Sequence, residues 1–111
     1  MTTVFWISRL KAGVAADDYE KWVREFDYVK ARELSSIVSY RAHRVHDHFL
    51  PADGARPFDY LEVIEITSLD EYRQQLAEHP AAQAIAAEWG NYVELVYSLT
   101  GEFLGPGVSR P

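Results

Sequence analysis

The chain alternates between apolar patterns typical of strands and of helices. TVFWISRL (residues 3–10) is rich in β-branched and aromatic residues and apolar on both alternating faces, which predicts a strand buried on two sides. After a KAG turn, Asp17 followed by Glu20 predicts a capping box at the start of a helix. We expect this helix to end near Asp27, with a second helical piece in ARELSSI as an alternative. Its apolar stripe consists of Tyr19, Trp22, Val23 and Phe26.

Polar residues interrupt the next segment with strand character, SYRAHRVHDHF (residues 39–49), which holds three of the four histidines. It is followed by LPADGARP (residues 50–57), where two prolines and an Asp-Gly pair predict a hairpin loop rather than a crossover. FDYLEVIEIT (residues 58–67) then predicts the third strand.

A second helix is predicted where Ser68 and Glu71 form another capping box. Pro80 should kink or split this helix, and Gly90 should end it. Its apolar residues are Leu69, Tyr72, Leu76, Ile85 and Trp89. NYVELVYSLTGEFL (residues 91–104) predicts the last strand.

The order strand, helix, strand, strand, helix, strand predicts a ferredoxin-like fold of the α+β class, a split βαβ arrangement. Its two halves resemble each other, because ADDYEKWV follows the first strand and SLDEYRQQL follows the third. We expect one domain over residues 1–104, with both helices on one face of a four-stranded antiparallel sheet. Residues 105–111, GPGVSRP, should form a flexible tail.

The predicted first, third and last strands are apolar on both faces; in the third, for example, Leu61 and Val63 point away from Ile64. Helices cover one of these faces only. Because monomeric proteins rarely expose so large an apolar patch, we predict that two copies pack sheet to sheet as a homodimer, a dimeric α+β barrel.

Composition narrows the classes of function. The 111 residues contain no cysteine, which excludes disulfides, iron–sulfur clusters and cysteine nucleophiles. A net charge of −6 argues against binding nucleic acid, which requires clustered Lys and Arg. No apolar run approaches the ~20 residues that span a bilayer and no signal peptide is recognised, so we expect a cytoplasmic protein with no membrane partner. The absence of a glycine-rich phosphate loop or a G-x-S-x-G motif leaves nucleotide cofactors and acyl-enzyme chemistry without support.

The strand with the histidines carries the first candidate chemistry. Alternation places Arg41 and His43 on one face and Tyr40 on the other. His43, in mid-strand, is either a hydrogen-bonded structural histidine or an acid–base group in a pocket. His46 and His48 form an H-x-H pair that can chelate a metal, but the sequence nominates no third ligand, so we predict two solvated side chains and no metal site.

Carboxylates within predicted apolar faces are the second candidate chemistry. Glu62 and Glu65 interrupt a central strand on opposite faces, so at least one should be buried. A buried carboxylate either pairs with a cation, for which Arg41 and Arg44 are the candidates, or has a raised pKa suited to proton transfer. Asp27, at the edge of the apolar stripe of the first helix, either pairs with a cation, has a raised pKa, or merely ends the helix.

Aromatic residues make up 14% of the chain, enough to wall a pocket for a flat apolar ligand between the helices and the sheet. Most of them should simply be core residues. The candidate substrate-binding residues are Trp6, Tyr19, Trp22, Phe26, Tyr60 and Tyr97, with Arg41 as the polar member.

Three segments, GVAADDYEKWVREFDY, SYRAHRVHD and FDYLEVIEITSLDEY, resemble in order and spacing the RedY-like (HapK-like) proteins of pyrrole and indole alkaloid pathways. The resemblance covers residues 3–104. It implies a dimeric α+β barrel, associated with prodiginine or bisindole biosynthesis, that acts without a cofactor on a reactive heteroaromatic intermediate such as an imine. The matching polar positions are Asp27, His43 and Glu62. In the family a proline follows the acidic residue of the first helix, where this chain has DYVKAREL, so this helix should end differently.

The residues and the resemblance together predict a cofactor-independent tailoring enzyme that directs an indole- or pyrrole-derived imine by proton transfer, cyclisation or isomerisation. In this hypothesis His43, oriented by Glu62 or Asp27, moves the proton while aromatic side chains hold the rings. A cofactor-free aromatic monooxygenase of the same fold and a non-catalytic protein that shields the intermediate are the alternatives. Haem chemistry is disfavoured, because the second helix offers only His79, just before Pro80.

Overall fold

The structure is a computed structural model that describes all residues from Met1 to Pro111. In chain order its elements are β1 (Thr2–Leu10), α1 (Ala16–Trp22), a π-helical turn (Val23–Asp27), α2 (Tyr28–Ala31), β2 (Ile37–Arg44), β3 (Tyr60–Ile66), α3 (Leu69–Glu78), α4 (Pro80–Trp89) and β4 (Val93–Glu102). β2 ends earlier than the predicted strand over residues 39–49, and residues 45–59 form the connection to β3. None of the helices has the length and apolar character needed to cross a membrane.

The four strands form one antiparallel sheet in the order β2-β3-β1-β4. This is the strand order of a ferredoxin-like fold and confirms the predicted α+β class; β2 and β4 form the two edges of the sheet. The side chains of β3 alternate in burial: Tyr60, Glu62 and Ile64 are buried on the face that the helices cover, whereas Leu61 and Val63 are partly exposed on the other.

The start of each helix tests the two predicted capping boxes. Ser68 caps α3 as predicted, because its side chain accepts a hydrogen bond from the N–H of Glu71. The box at Asp17 is wrong: the N-cap residue of α1 is Ala15, and no side chain caps this helix. Pro80 splits the second helix as predicted, since it occupies the first turn of α4, where a proline N–H is not needed.

A π-helical turn changes which side chains of the first helix face the sheet. The N–H of Tyr28 bonds to the carbonyl of Val23, five residues back, so this turn holds one residue more than an α-helical turn. As a result Asp27 and Ala31 are buried, whereas Phe26 is only half-buried. The predicted end near Asp27 is wrong, because helical backbone continues to Ala31; ARELSSI is not a second helix either, since residues 32–36 form none.

The core lies between the helices and one face of the sheet. One apolar cluster is centred on Tyr19, Trp22, Tyr60 and Val93, and a second on Val4, Ile64, Ile66 and Tyr72. The two clusters meet where Trp6, packed on the second, contacts Trp89, packed on the first; their ring centroids lie 6.4 Å apart.

On the other face, the sheet carries apolar side chains that no helix covers. Phe5 and Ile7 of β1 pair with Leu99 and Tyr97 of β4 on this helix-free face. Leu99 is 51% exposed and Tyr97 60% exposed. The predicted two-faced apolar character of the sheet is therefore confirmed.

Candidate functional site

A cavity of about 190 Å³ lies between the helices and the sheet, next to the contact between Trp6 and Trp89. Its aromatic lining consists of Trp6, Tyr40, Tyr72 and Trp89, and its larger aliphatic side chains are Leu34, Ile37, Ile64, Leu76 and Ile85. Asp27 and Glu62, hereafter the carboxyl pair, are its only charged lining residues. No Lys, Arg or His lines the cavity, so it has no basic group to pair with these two acids.

The π-helical turn brings Asp27 to this cavity. Its side chain is 3% exposed and is directed at β2, where the Tyr40 hydroxyl donates a hydrogen bond of 2.5 Å to Asp27 Oδ2. Tyr40 lies on the same face of the sheet as Glu62, because Ala42, two residues on in β2, pairs across the ladder with Glu62. Turns of this kind are rare and recur at functional sites.

Glu62 reaches the cavity from the middle of β3. It lies between Trp6 of β1 and Ala42 of β2, so backbone ladders fix its position from both sides. The side chain is 5% exposed. Tyr19 of α1, itself fully buried, donates its hydroxyl hydrogen to Glu62 Oε1 at 2.9 Å.

Burial raises the pKa of both carboxyl groups. It raises the pKa of Asp27 to about 6, against the hydrogen bond from Tyr40, which favours the ionised form. Burial, followed by the charge of Asp27, raises the pKa of Glu62 to about 7, while the hydrogen bond from Tyr19 again opposes the shift. Neither group takes part in any of the chain's ion pairs. The carboxyl pair can therefore both gain and lose a proton near neutral pH.

The hydroxyl groups around the carboxyl pair are fixed as donors. Burial raises the pKa of Tyr19 and of Tyr40 far above the usual range, so both remain protonated. Tyr72 differs from them: its hydroxyl accepts the indole N–H of Trp6 at 3.2 Å, and its own hydrogen has no acceptor within the protein. A ligand in the cavity can therefore accept a hydrogen bond from Tyr72.

One protonated and one ionised carboxyl group in the same apolar cavity can serve together as general acid and general base. Only one oxygen of each group accepts its tyrosine bond, Asp27 Oδ2 from Tyr40 and Glu62 Oε1 from Tyr19. The other donors near Glu62, Trp89 and Tyr40, are neutral as well, so neither carboxyl group has a cationic partner. The arrangement is thus suited to giving a proton to a bound molecule and taking another from it.

The family model for "REDY-like protein HapK" matches residues 2–104, nearly the whole chain. The chain belongs to this family. Among solved structures, the HapK-family chain is similar to HapK from Hahella chejuensis, with 31% identity, a TM-score of 0.81 and 100% of both chains covered. The predicted RedY-like resemblance is confirmed.

More distant structures share the fold with this HapK-family chain. Hydroxynitrile lyase from Passiflora edulis is 14% identical, with 96% of each chain covered and a TM-score of 0.68. A protein of the ethyl tert-butyl ether D (EthD) family from Bacillus halodurans is 10% identical, with a TM-score of 0.68 over 94% of this chain and 100% of the other. No curated protein sequence matches the chain. At these identities the similarity extends to the fold alone.

The structure separates His43 from the carboxyl pair. His43 is exposed and pairs across the ladder with Leu61, so alternation directs it to the helix-free face, opposite Glu62. Its Nδ1 lies 3.3 Å from the carbonyl oxygen of Leu61. The hypothesis that Glu62 or Asp27 orients His43 therefore needs correction, because neither carboxyl group faces the same side of the sheet.

Of the aromatic residues predicted to bind substrate, the structure brings Trp6 alone to the cavity wall. Tyr19, Trp22 and Tyr60 are buried in the core; only Tyr19 reaches the site, through its hydrogen bond to Glu62. Phe26 stacks on Trp22, with ring centroids 5.7 Å apart, outside the cavity. The extra residue in the π-helical turn explains why Phe26 lies outside.

Neither of the two arginines named as candidate partners of Glu62 pairs with it. Arg41 and Tyr97 lie on the helix-free face, where Arg41 pairs with Val63 across the ladder. Arg44 instead holds Glu20 through hydrogen bonds of 2.6 and 2.8 Å. Glu62 is therefore the buried carboxylate with a raised pKa rather than a member of an ion pair.

In the connection between β2 and β3, His46 is exposed as predicted. The prediction of a solvated His48 needs correction, because this side chain is only partly exposed and its Nε2 is buried without a hydrogen-bond partner. The chain groups no three His, Asp or Glu side chains in an arrangement that could hold a metal ion.

Sequence reasoning missed Tyr40 and the cavity-lining positions of Tyr72 and Trp89. The last two were assigned correctly to the apolar side of the second helix, but nothing in that pattern distinguishes a cavity wall from a packed core. The sequence offered no signal for Tyr40: it alternates in phase with Ala42, but only the register of the sheet shows that Ala42 lies beside Glu62.

Proposed function

We propose that the chain is a cofactor-independent tailoring enzyme in which Asp27 and Glu62 transfer protons to and from a flat, reactive indole- or pyrrole-derived imine. One observation carries the proposal: two buried carboxyl groups with raised pKa values share an aromatic cavity that contains no basic side chain. The substrate class rests on membership of the HapK family and on the aromatic lining.

The proton inventory of such a step balances without an oxidant or reductant. The protonated carboxyl group of the pair gives its proton to the imine nitrogen, which forms an iminium ion. The ionised carboxyl group then removes a proton from the adjacent carbon, which gives an enamine. One proton has entered and one has left, so the pair keeps its charge, and transfer of the proton between the two acids resets it.

The walls of the cavity supply orientation. Trp6 and Trp89 meet edge to face at an interplanar angle of 65°, so together they offer two differently inclined aromatic surfaces. A molecule held against them keeps its reacting carbon near the carboxyl pair, and an apolar lining limits access of water, which would hydrolyse an imine. Cyclisation or isomerisation follows from the enamine according to how its rings are held.

We also propose that the working form is a homodimer that covers the helix-free face. Leu99 and Tyr97 expose more than half of their surface there, and a patch of this kind typically marks an interface. The face belongs to the sheet rather than to the cavity, so two copies can associate while both cavities stay accessible from the helix side.

Product analysis by mass spectrometry tests the function. A bisindole imine is generated in situ by its upstream enzymes, in EDTA, with substoichiometric wild-type protein, Glu62→Gln or Asp27→Asn. A product ratio that shifts with wild-type protein and reverts to the spontaneous ratio with either variant supports the proposal. Glu65→Gln, on the same strand but the opposite face, is the matched control and should behave as wild type.

The same experiment separates the alternatives. If the new product forms only with O₂ and contains labelled oxygen, the protein is a monooxygenase. If the intermediate is merely preserved in proportion to the protein added, the protein is a shielding module, and the two carboxyl variants should then change affinity without changing any rate.

A further inference from the structure

The carboxyl pair lacks a counter-ion. The ion pairs of the chain engage Glu20, Asp59, Glu94 and other carboxylates, all outside the cavity. The titratable groups that face the pair are tyrosines: Tyr19 from α1, Tyr40 from β2 and Tyr72 from α3. An ionised carboxylate without a cationic partner is costly in an apolar cavity, so the ionised pair favours a ligand that brings positive charge.

The oxygens of the carboxyl pair show where such a ligand would bind. Asp27 is 3% and Glu62 5% exposed, and the donors around them, Tyr19, Tyr40 and Trp89, are all neutral. Asp27 Oδ1 and Glu62 Oε2, the oxygens that do not accept the Tyr40 and Tyr19 bonds, are the second oxygens of the pair. Both residues line the cavity. What these oxygens lack is a hydrogen-bond donor that also carries positive charge, because charge-assisted hydrogen bonds are the strongest available to a carboxylate.

The remaining walls suit the same ligand. A cation placed against the indole rings of Trp6 and Trp89 is attracted by their π faces, an effect that strengthens where water is excluded. An anion would meet two acids and no base, and a neutral hydrocarbon would leave the ionised pair without a cationic partner.

We propose that this cavity binds its ligand as a monocation: a flat nitrogen heterocycle whose protonated N–H group lies between Asp27 Oδ1 and Glu62 Oε2 while its rings pack on Trp6 and Trp89. This inference rests on the proposed function, since it names the charge state that the same site stabilises, namely the iminium ion that forms once the protonated carboxyl group has given its proton to the imine nitrogen. It adds that inert cations of this shape should bind as well.

A pair of inert probes of nearly equal shape tests the charge. 4-Aminoquinoline is a cation at neutral pH, whereas 1-aminonaphthalene is neutral. Isothermal titration calorimetry with full-length protein at pH 7 should show the cation binding about tenfold to hundredfold more tightly, as expected for hydrogen bonds to a charged group. Titration in two buffers of different ionisation enthalpy should also show proton release, because a bound cation favours the ionised carboxyl groups.

Variants locate the effect. Glu62→Gln and Asp27→Asn should each reduce the preference for the cation to less than about threefold, while Glu65→Gln should keep it. Circular dichroism confirms that each variant is folded; a variant that is not is replaced by an apolar one of similar volume, Glu62→Met or Asp27→Leu, which also removes the charge and should reduce the preference to the same extent. Equal binding of the two probes, tighter binding of the neutral one, binding of neither, or a preference that survives both amide substitutions would overturn the inference.

Failure of this inference is distinguishable from failure of the proposed function. If the probes bind equally but Glu62→Gln still abolishes the product shift, proton transfer stands and the ligand binds neutral. If the charge preference is found but no product ratio changes, the cavity is a cation-binding site without the proposed catalysis.

Discussion

The Tyr40 hydroxyl donates a hydrogen bond of 2.5 Å to Asp27 Oδ2, which joins the edge strand β2 to the π-helical turn. This bond holds a buried acid at the end of an irregular helical turn, where neither the helix nor the sheet alone would fix it. It also favours the ionised form of Asp27, against the effect of burial. Tyr40 is therefore a positioning residue for the carboxyl pair, and removal of its hydroxyl group should raise the pKa of Asp27.

Tyr40→Phe should shift the pH profile of product formation to higher pH. Loss of the hydrogen bond removes an interaction that lowers the pKa of Asp27, so the pair deprotonates at a higher pH, by on the order of one unit. The measurement is the product ratio as a function of pH from 5 to 9. Tyr97→Phe, an exposed tyrosine outside the cavity, should leave the profile in place. An unshifted profile for Tyr40→Phe would mean that the Asp27 contact does not control protonation.

The carboxyl pair should make the fold less stable as pH rises. Carboxyl groups titrate near ~4 in an unfolded chain, whereas burial raises the pKa of Asp27 to about 6 and of Glu62 to about 7 in the folded protein. Between these values the folded state binds more protons than the unfolded state, so the free energy of unfolding falls with pH. The contribution of the carboxyl groups to the free energy of unfolding is fully present below about pH 4. It is lost as pH rises through their pKa values in the folded protein, and for each group alone the loss amounts to roughly 3 kcal/mol.

Urea unfolding at pH 5, 6, 7 and 8, followed by tryptophan fluorescence, measures this decline. Glu62→Gln and Asp27→Asn should flatten it, whereas Glu65→Gln should follow the wild-type curve. Glu20, whose pKa the hydrogen bond from Arg44 lowers, acts in the opposite sense and only in more acidic solution, so it does not mask the effect. Parallel curves for wild type and both variants would contradict the raised pKa values.

Local signals with a stereochemical cause predicted much of the fold. Ser68 caps its helix because a short hydroxyl side chain can accept from a free N–H group, and Pro80 splits the helix because it cannot continue the backbone ladder. Asp17 has a suitable side chain too, but the helix begins at Ala16 and includes it. A capping residue must lie at the boundary, and the sequence does not mark that boundary within one or two residues.

The site was predictable only in part, for a related reason. Alternation along β3 correctly separated Glu62 from Glu65, since a strand has a fixed period of two. Alternation alone does not say that His43 and Glu62 lie on opposite faces, because they belong to different strands. That follows only from the pairing of Ala42 with Glu62, and such a register is a property of the sheet rather than of either strand. The π-helical turn has no signal in the stripe of Tyr19, Trp22 and Phe26, which fits an uninterrupted α-helix equally well.

His43→Ala should leave the product ratio unchanged. The side chain is exposed on the face opposite the carboxyl pair, so its removal alters neither the charge nor the volume of the cavity. The measurement is the product ratio with His43→Ala, compared with that of wild type and with that of Glu62→Gln, which should abolish the shift. A loss of activity in His43→Ala with the fold and the oligomeric state retained would show that the helix-free face takes part in the chemistry.

Leu99→Glu should convert the proposed homodimer to a monomer. Leu99 is 51% exposed on the helix-free face of one protomer, so a carboxylate is tolerated in the fold but would be buried without a partner in a sheet-to-sheet interface. Val29→Glu is the matched control, since Val29 is 47% exposed but lies on α2. Light scattering coupled to size-exclusion chromatography distinguishes the masses. A monomeric wild-type protein, or a dimer that survives Leu99→Glu, would refute this interface.

Ala86→Trp should close the cavity. Ala86 of α4 and Leu76 of α3 line the cavity and are themselves exposed, so they mark the place where it reaches the surface between these two helices. An indole at position 86 should fill that opening without entering the core. We therefore expect the product shift and probe binding to be lost, while the free energy of unfolding stays within about 1 kcal/mol of wild type. Ala87→Trp is the matched control, because Ala87 is exposed on the same helix and does not line the cavity. Equal activity of the two tryptophan variants would mean that the ligand enters elsewhere, whereas equal loss would mean that a bulky side chain on α4 disturbs the site without blocking it.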